Sequence, residues 1–304
     1  MALGLSALSF GSAPIGGLYA PVDGGVDGGV DVVRRALEVG MTYLDTAPHY
    51  GAGTAERVIG EALKDVPRES FTISTKVGRL LRPRRDGEAP DDEGFPGEPA
   101  LKREWDFSGD GIRRSLESSL ERLGLDRVDA VYLHDPDDHE EQVYTEAYPA
   151  LARLRDEGVI AAIGAGMNQA EMLARFVRRL DLDLVLCAGR YTLLDRTAEA
   201  ELLPACVERG TKVVIGGVFN SGLLAGGTTY NYAPAPAEML ERVERLEQVC
   251  ARHGVPLRAA AMRFPFRHPA VVSVLTGCRT PAEADDNARL FEWDIPEALW
   301  GDLG

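Results

Sequence analysis

Residues 112–134 read IRRSLESSLERLGLDRVDAVYLH, and the change of period inside this stretch decides the fold. Ile112, Leu116, Leu120 and Leu123 recur every three or four residues, which puts them on one face of a helix. Gly124 stops the stripe, as a left-handed cap would. Residues 128–133 (VDAVYL) then make a short run rich in β-branched and aromatic side chains, the composition of a strand. The unit is a helix feeding a strand, and the chain on both sides repeats it.

Upstream, Val32, Val33, Ala36 and Leu37 share a helical face closed by Gly40, and residues 42–44 (TYL) follow as a strand. A helix from about Thr54, with Val58, Ile59, Ala62 and Leu63 inward, precedes the β-branched run 71–76 (FTISTK). Downstream, a helix around Leu151 and Leu154 ends at Gly158 before residues 159–163 (VIAAI). Further strands are expected at 182–186, 212–215 and 271–275, with helices ending at Gly210 and Gly254. Residues 8–10 (LSF) supply the first strand, which makes eight. Alternation at this spacing implies a parallel sheet buried on both faces. Eight strand–helix units fit one closed α/β domain over residues 1–304, a (β/α)₈ TIM barrel, with an open doubly wound sheet as the alternative. The long stretches 78–109 and 216–236 follow strands three and seven, and are expected as irregular βα-loops over the catalytic mouth.

The chain has 304 residues, 45% of them hydrophobic and 27% charged, the balance of a globular protein. Its formal charge of −15 disfavours nucleic acid and anionic membranes as partners. The patch Arg82-Pro83-Arg84-Arg85 runs into the acids Asp86, Glu88, Asp91, Asp92 and Glu93 and reads as a solvated loop. Cys187, Cys206, Cys250 and Cys278 form no CxxC pair, which points to free thiols in a reducing compartment. No basic leader and no apolar run of membrane length is present in the sequence, so the expected location is the cytoplasm.

Three expected strands end on polar residues that a purely structural barrel does not require: Asp45, Lys76 and His134. Tyr50 follows Asp45 by five residues on the adjoining loop. C-terminal strand ends of a barrel converge on one mouth, so the four can meet. A phenol with a pKa near 10 is a weak acid or base at neutral pH, and an adjacent ammonium favours its phenolate. Lys76 can supply that ammonium, Asp45 can hold it, and His134 can hydrogen-bond the substrate oxygen or pass the proton. The set suits proton transfer between a carbonyl and an alcohol. Each residue alone has an ordinary explanation as a cap, a solvated charge or packing; it is the four together at strand ends that point to catalysis.

Residues 43–51 (YLDTAPHYG), 74–78 (STKVG), 131–137 (VYLHDPD) and 276–287 (TGCRTPAEADDN) resemble the aldo-keto reductase superfamily, in order and over about residues 5–296. The resemblance implies a catalytic tetrad of Asp45, Tyr50, Lys76 and His134, with Tyr50 as general acid/base, and a nicotinamide cofactor bound without a Rossmann fold. Residues 188–195 (AGRYTLLD) and 163–168 (IGAGMN) are most similar to its aldose 1-dehydrogenase branch. That branch includes L-fucose, L-galactose and D-threo-aldose dehydrogenases, with pyridoxal 4-dehydrogenases as near relatives. Such enzymes oxidise a cyclic hemiacetal to a lactone.

On the same footing, Tyr191 matches the aromatic that stacks on nicotinamide, Ser221, Gly222 and Leu223 the pyrophosphate loop, and Arg279, Asp286 and Asn287 the adenosine side. The usual carboxamide grip departs from pattern at Gly166-Met167, and Cys187-Ala188 replace a customary Gln, leaving Asn168 as the candidate. NADP-dependent members place Lys and Arg where this chain has Gly277 and Glu283. A carboxylate repels a 2′-phosphate and accepts from a free ribose hydroxyl, so NAD is expected, with NADP as second choice. Tyr19, His49, Trp105 and Phe219, and beyond them Trp300, offer aromatic or polar faces to a monosaccharide or pyridine ring. The rival readings are a general aldehyde and ketone reductase, a pyridoxal 4-dehydrogenase and a cofactor-binding regulatory subunit. A metal hydrolase using His49 and residues 134–139 (HDPDDH) is a weaker fourth, and no metal is expected. The oligomeric state is not legible.

Overall fold

A computed structural model describes residues 3–89, 94–95 and 100–304. Eight parallel strands close a barrel: β1 (Leu8–Gly11), β2 (Tyr43–Asp45), β3 (Thr72–Val77), β4 (Ala130–His134), β5 (Ala162–Met167), β6 (Leu184–Ala188), β7 (Lys212–Gly216) and β8 (Val271–Thr276). Each pairs with its neighbours in sequence, and β8 returns to β1. Every expected strand is present, and the closed order excludes the open sheet.

Side chains alternate across each strand. Tyr43, Ala130, Tyr132, Ala162, Leu184, Leu186, Val214 and Leu275 fill the barrel, while Ile73, Val131, Leu133, Val185, Val213 and Ile215 face the helices. Both sets are buried, so these strands read as near-continuous apolar runs. Leu3 and Leu5 pack against the interior cluster.

The outer layer consists of α1 (Gly25–Glu38), α2 (Thr54–Leu63), α3 (Gly109–Leu123), α4 (Tyr148–Asp156), α5 (Ala170–Arg179), α6 (Leu202–Arg209), α7 (Ala237–Arg252), α8 (Leu257–Arg263), α9 (Pro281–Phe291) and α10 (Glu297–Leu303). Ser108 caps α3 by accepting from the Gly111 N–H at 3.0 Å, and Ile112, Leu116 and Leu123 are buried beneath it. In α5, Met172, Leu173, Phe176 and Val177 face the barrel, while Arg175, Arg178 and Arg179 face outward.

The stretch after β3 departs from expectation. Residues Arg79–Pro83 pair antiparallel with Leu101–Trp105, Arg79 opposite Trp105, and form a hairpin that stands on the barrel rim. It is rooted where the Asp106 N–H donates to the Gly78 carbonyl at 3.0 Å. Gly78 has φ +102°, and a Cβ there would lie 2.3 Å from the Phe107 ring. Arg82 in this hairpin pairs with Glu88 and Glu104, so the arginine patch is tied to neighbouring acids. Asp91, Asp92 and Glu93 lie outside the described residues. The second long loop also carries local order, a turn at Leu223–Ala225 and a two-residue pairing of Thr229–Tyr230 with Ala233–Pro234.

All four cysteines are buried and free, and burial pushes the Cys187, Cys206 and Cys278 thiols up to about 12, which makes them inert. Among the described residues no helix is long and apolar enough to cross a membrane.

Candidate active site

The ends of β2, β3 and β4 bring Asp45, Lys76 and His134 to the mouth, and the turn leaving β2 folds Tyr50 back over them. The Lys76 ammonium, 1% exposed, donates to Asp45 Oδ2 at 2.6 Å, the Thr46 carbonyl at 2.9 Å and Tyr50 Oη at 3.0 Å. Its three protons are thereby spent. Because Tyr50 accepts from Lys76, its own O–H remains to donate elsewhere. Asp45 Oδ1 accepts from the Ser74 hydroxyl at 2.8 Å, and Ser74 in turn meets the Tyr43 hydroxyl at 2.9 Å. The His134 ring stands edge-on to Tyr50, with centroids 5.9 Å apart.

The electrostatics differ in one respect from the sequence expectation. Burial works against the Lys76 ammonium, yet Asp45 and Tyr50 hold its pKa above the ordinary value, so the ion pair is kept. Burial pushes the Tyr50 phenol up to about 12, and the pull of Lys76 downward only partly offsets it. The ammonium does favour the phenolate, but loss of water outweighs it. Burial, with Arg79 and Lys76 nearby, drives His134 well below its usual range, and the same causes, with Arg103 added, lower His49 to about 2. Both imidazoles are neutral at physiological pH. His134 therefore suits hydrogen bonding to a substrate oxygen better than proton relay. Burial also lifts Asp135 to about 6, against the pull of Arg79.

Beside these four, His49, Trp105 and Tyr19 are joined by Arg79, Arg103 and Phe95, which the sequence did not single out. The Arg79 guanidinium donates to His49 Nδ1 at 3.0 Å and to Asp135 Oδ2 at 2.7 Å, and lies 4.0 Å from the Trp105 ring centroid. Arg103 donates to the His49 carbonyl at 2.8 Å. Buried Phe95 meets His49 edge-on at 5.1 Å and lies near-parallel to Tyr50 at 6.1 Å. Trp105 stays 43% exposed. Tyr19, 47% exposed, faces Tyr232 at 6.4 Å, so the loops after β1 and β7 meet there.

The residues expected to hold a cofactor are placed unevenly. Asn168 lies beside Tyr232, and its carbonyl accepts from Arg190 Nε at 2.9 Å. Ser221 is engaged with its own loop, through Thr229 and the Tyr232 N–H. Gly222 and buried Leu223 begin the turn beside it. Gly277 packs against Pro14, where a Cβ would come within 2.5 Å. Arg279 donates to the Leu18 and Ala20 carbonyls, and its N–H donates to Glu283 Oε2 at 2.7 Å. Asp286 and Asn287 both accept from Arg258, whose guanidinium lies 5.8 Å from the Phe219 ring. Phe219 thus joins this second group rather than the tetrad. Tyr191 is only 3% exposed and packs against the rings of Phe264 and His268. Trp300 likewise packs beside Phe264 and Arg267.

Five buried polar atoms have no hydrogen-bond partner at the C-terminal side of the strands: Ser12 Oγ after β1, Thr46 Oγ1 after β2, His134 Nδ1 on β4, Asn220 Oδ1 after β7 and Thr276 Oγ1 on β8. Buried polar groups are ordinarily satisfied, so a ring of five on one face fits a large polar ligand such as a nicotinamide nucleotide. Among the described residues no three His, Cys, Asp or Glu side chains converge to hold a metal ion.

Comparison with known proteins agrees with this geometry. The profile of the aldo/keto reductase family matches residues 7–303. A D-threo-aldose 1-dehydrogenase from a Pseudomonas species is 44% identical, covering 99% of this chain and 94% of its own. A pyridoxal 4-dehydrogenase from Microbacterium luteolum is 40% identical over the same shares of the two chains. Among solved structures, a glycerol dehydrogenase from Gluconobacter oxydans superposes with a TM-score of 0.78 at 24% identity, covering 98% of this chain and 90% of that one. That last likeness bears on the fold alone.

Proposed function

The chain belongs to the aldo/keto reductase family of nicotinamide-dependent oxidoreductases, and from that premise we propose that it oxidises the hemiacetal of a small aldose at C1 to the lactone. The observation that carries the reading is the contact between Lys76 Nζ and Tyr50 Oη at 3.0 Å inside a buried ion pair. Tyr50 takes the proton of the C1 hydroxyl, and Lys76 stabilises the phenolate from which it does so. Asp45, fixed by Ser74, keeps Lys76 charged and aimed. Neutral His134 holds the reacting oxygen by a hydrogen bond. A nicotinamide bound beside these residues would supply the acceptor for the hydride that leaves C1. The similarity to the D-threo-aldose enzyme supports the substrate class, and the exposed Trp105 face offers the apolar surface that a sugar ring stacks on.

NAD is the proposed cofactor. Arg279 is committed to two loop carbonyls and Arg258 to Asp286 and Asn287, so neither guanidinium is set aside for a 2′-phosphate. Glu283 adds a carboxylate to the same segment.

The test is formation of reduced nicotinamide with a panel of free aldoses, pyridoxal and simple aldehydes, with Tyr50→Phe alongside. Aldose oxidation with NAD is expected, reduced about 10²–10⁴-fold in Tyr50→Phe. Because Tyr50 titrates at about 12, its phenolate fraction and the oxidation rate should rise about tenfold per pH unit across the alkaline range. Turnover of pyridoxal alone would shift the reading to the second relative. Reduction of simple aldehydes alone would identify a general reductase.

A further inference from the structure

We infer that Asp135, held by Arg79, reads the hydroxyl on the carbon next to the reacting one, so that the site selects 2-hydroxylated substrates over their 2-deoxy forms. The inference rests on the aldose reading above and adds the position that the mouth recognises.

Neighbouring residues of a strand point to opposite faces. Continued extension after His134 would turn Asp135 away from the mouth. Instead Asp135 has φ +43°, the left-handed region that costs a non-glycine residue about 1–3 kcal/mol. Its N–H still donates to the Gly166 carbonyl at 3.0 Å, so the strand pairing is kept while the side chain swings back. The carboxylate thereby comes within 3.5 Å of His134 Nε2. Arg79 Nη2 fixes Oδ2 at 2.7 Å, and 32% of the Asp135 side chain remains exposed.

The Asp135 carboxylate, fixed by the guanidinium and still partly exposed, offers a hydroxyl an acceptor. Oxygens on adjacent carbons lie about one hydrogen-bond length apart. An oxygen held by His134 and Tyr50 therefore puts its neighbour on C2 within reach of Asp135. The pairing is also neutral: Lys76 is matched by Asp45 and Arg79 by Asp135, which favours an uncharged polyol over a carboxylated sugar. Trp105, against Arg79, continues the same wall with an aromatic face.

The experiment compares the fastest aldose of the panel with its own 2-deoxy form, 2-deoxyribose for arabinose or ribose and 2-deoxyglucose for glucose, in the wild type and in Asp135→Asn and Asp135→Glu. The wild type should prefer the 2-hydroxy sugar in kcat/KM by on the order of 10–100-fold, the range of a hydrogen bond to a charged group. Asp135→Asn should shrink that ratio to a few-fold, and Asp135→Glu should retain part of it. A wild type indifferent to the 2-hydroxyl overturns the inference without any variant. Equal loss on both sugars in Asp135→Asn also overturns it, because a residue that merely anchors the hairpin would slow both alike. A wild type that turns over no aldose but reduces plain aldehydes overturns the aldose reading itself, and this inference with it.

Discussion

Two layers of the barrel interior bury polar side chains and treat them in opposite ways. In the lower layer hydroxyls pair with one another: Tyr43 meets Tyr132 at 3.0 Å and Ser74 at 2.9 Å, and Ser9 meets Ser273 at 2.8 Å and Ser6 at 2.9 Å. At the mouth, Ser12, Thr46, His134, Asn220 and Thr276 each keep a buried atom without a partner. Leaving such an atom unpaired costs roughly 1–3 kcal/mol. The lower network lends the fold stability, and the unpaired atoms at the mouth subtract from it. Lys76 and Asp45 sit at the boundary and share both characters, fully paired yet placed to act.

Four substitutions or conditions can break or sharpen that contrast. The largest effect belongs to the boundary: Lys76→Met leaves the Asp45 carboxylate buried without its counter-charge and should cost about 3–5 kcal/mol in urea unfolding. Adding Asp45→Asn to the same chain should recover much of the loss, and failure to recover would show that the pair is not what stabilises this layer.

Acid should act on the mouth next. His49 and His134 stay neutral in the folded protein, while in the unfolded chain they titrate near 6.5. Below that pH the unfolded chain binds more protons, so stability falls as pH falls, by about 1.4 kcal/mol per pH unit for each histidine. Asp135, raised to about 6, works with the opposite sign, because the folded protein keeps its proton to higher pH. Unfolding midpoints at about pH 7 and about pH 5.5 measure the sum. His49→Gln should reduce the slope, and an unchanged slope would mean that this ring is charged when folded.

In the lower layer, Tyr43→Phe strands the Tyr132 hydroxyl and leaves Ser74 with Asp45 alone, and should destabilise by about 1–3 kcal/mol. The smallest effect is at the mouth, where Thr276→Val removes a hydroxyl that has no partner. Stability should stay level or rise by up to about 1 kcal/mol, while cofactor affinity, read by quenching of tryptophan fluorescence, drops a few-fold. If Thr276→Val were as unstable as Tyr43→Phe, the two layers would not differ.

Legibility in the sequence followed the same division. The eight strands could be read because strands buried on both faces give unbroken apolar runs, and the tetrad could be read because strand ends converge by topology. The hairpin at 79–105 was hidden because its alternation lies amid Arg, Pro and Gly, and its pairing joins residues 18 to 26 apart, from Pro83 with Leu101 to Arg79 with Trp105. Arg79, Arg103 and Phe95 went unnoticed for that reason: each acts on a residue distant in sequence, His49 or Tyr50. Asp135 stood in plain view after His134, but its role depends on a backbone angle that no side-chain pattern encodes. Tyr191 was read from the resemblance of residues 188–195 and Trp300 from its residue type, and both pack against Phe264.

The hairpin begins and ends at neighbouring points, Gly78 and Asp106, joined by one backbone hydrogen bond. It also carries Arg79 and Trp105, which lie against each other beside Asp135, while the tetrad sits on the barrel itself. The proposed chemistry stays on the barrel, and the proposed selectivity is shared between this hairpin and Asp135 beside His134. An insertion with both feet at one spot behaves as a cassette: it can be lengthened, shortened or exchanged with that of a relative while the barrel closes as before. Successive generations of such exchanges would carry one hydride-transfer centre through a succession of substrates, which makes residues 79–105 the place where a library for new sugars should be built.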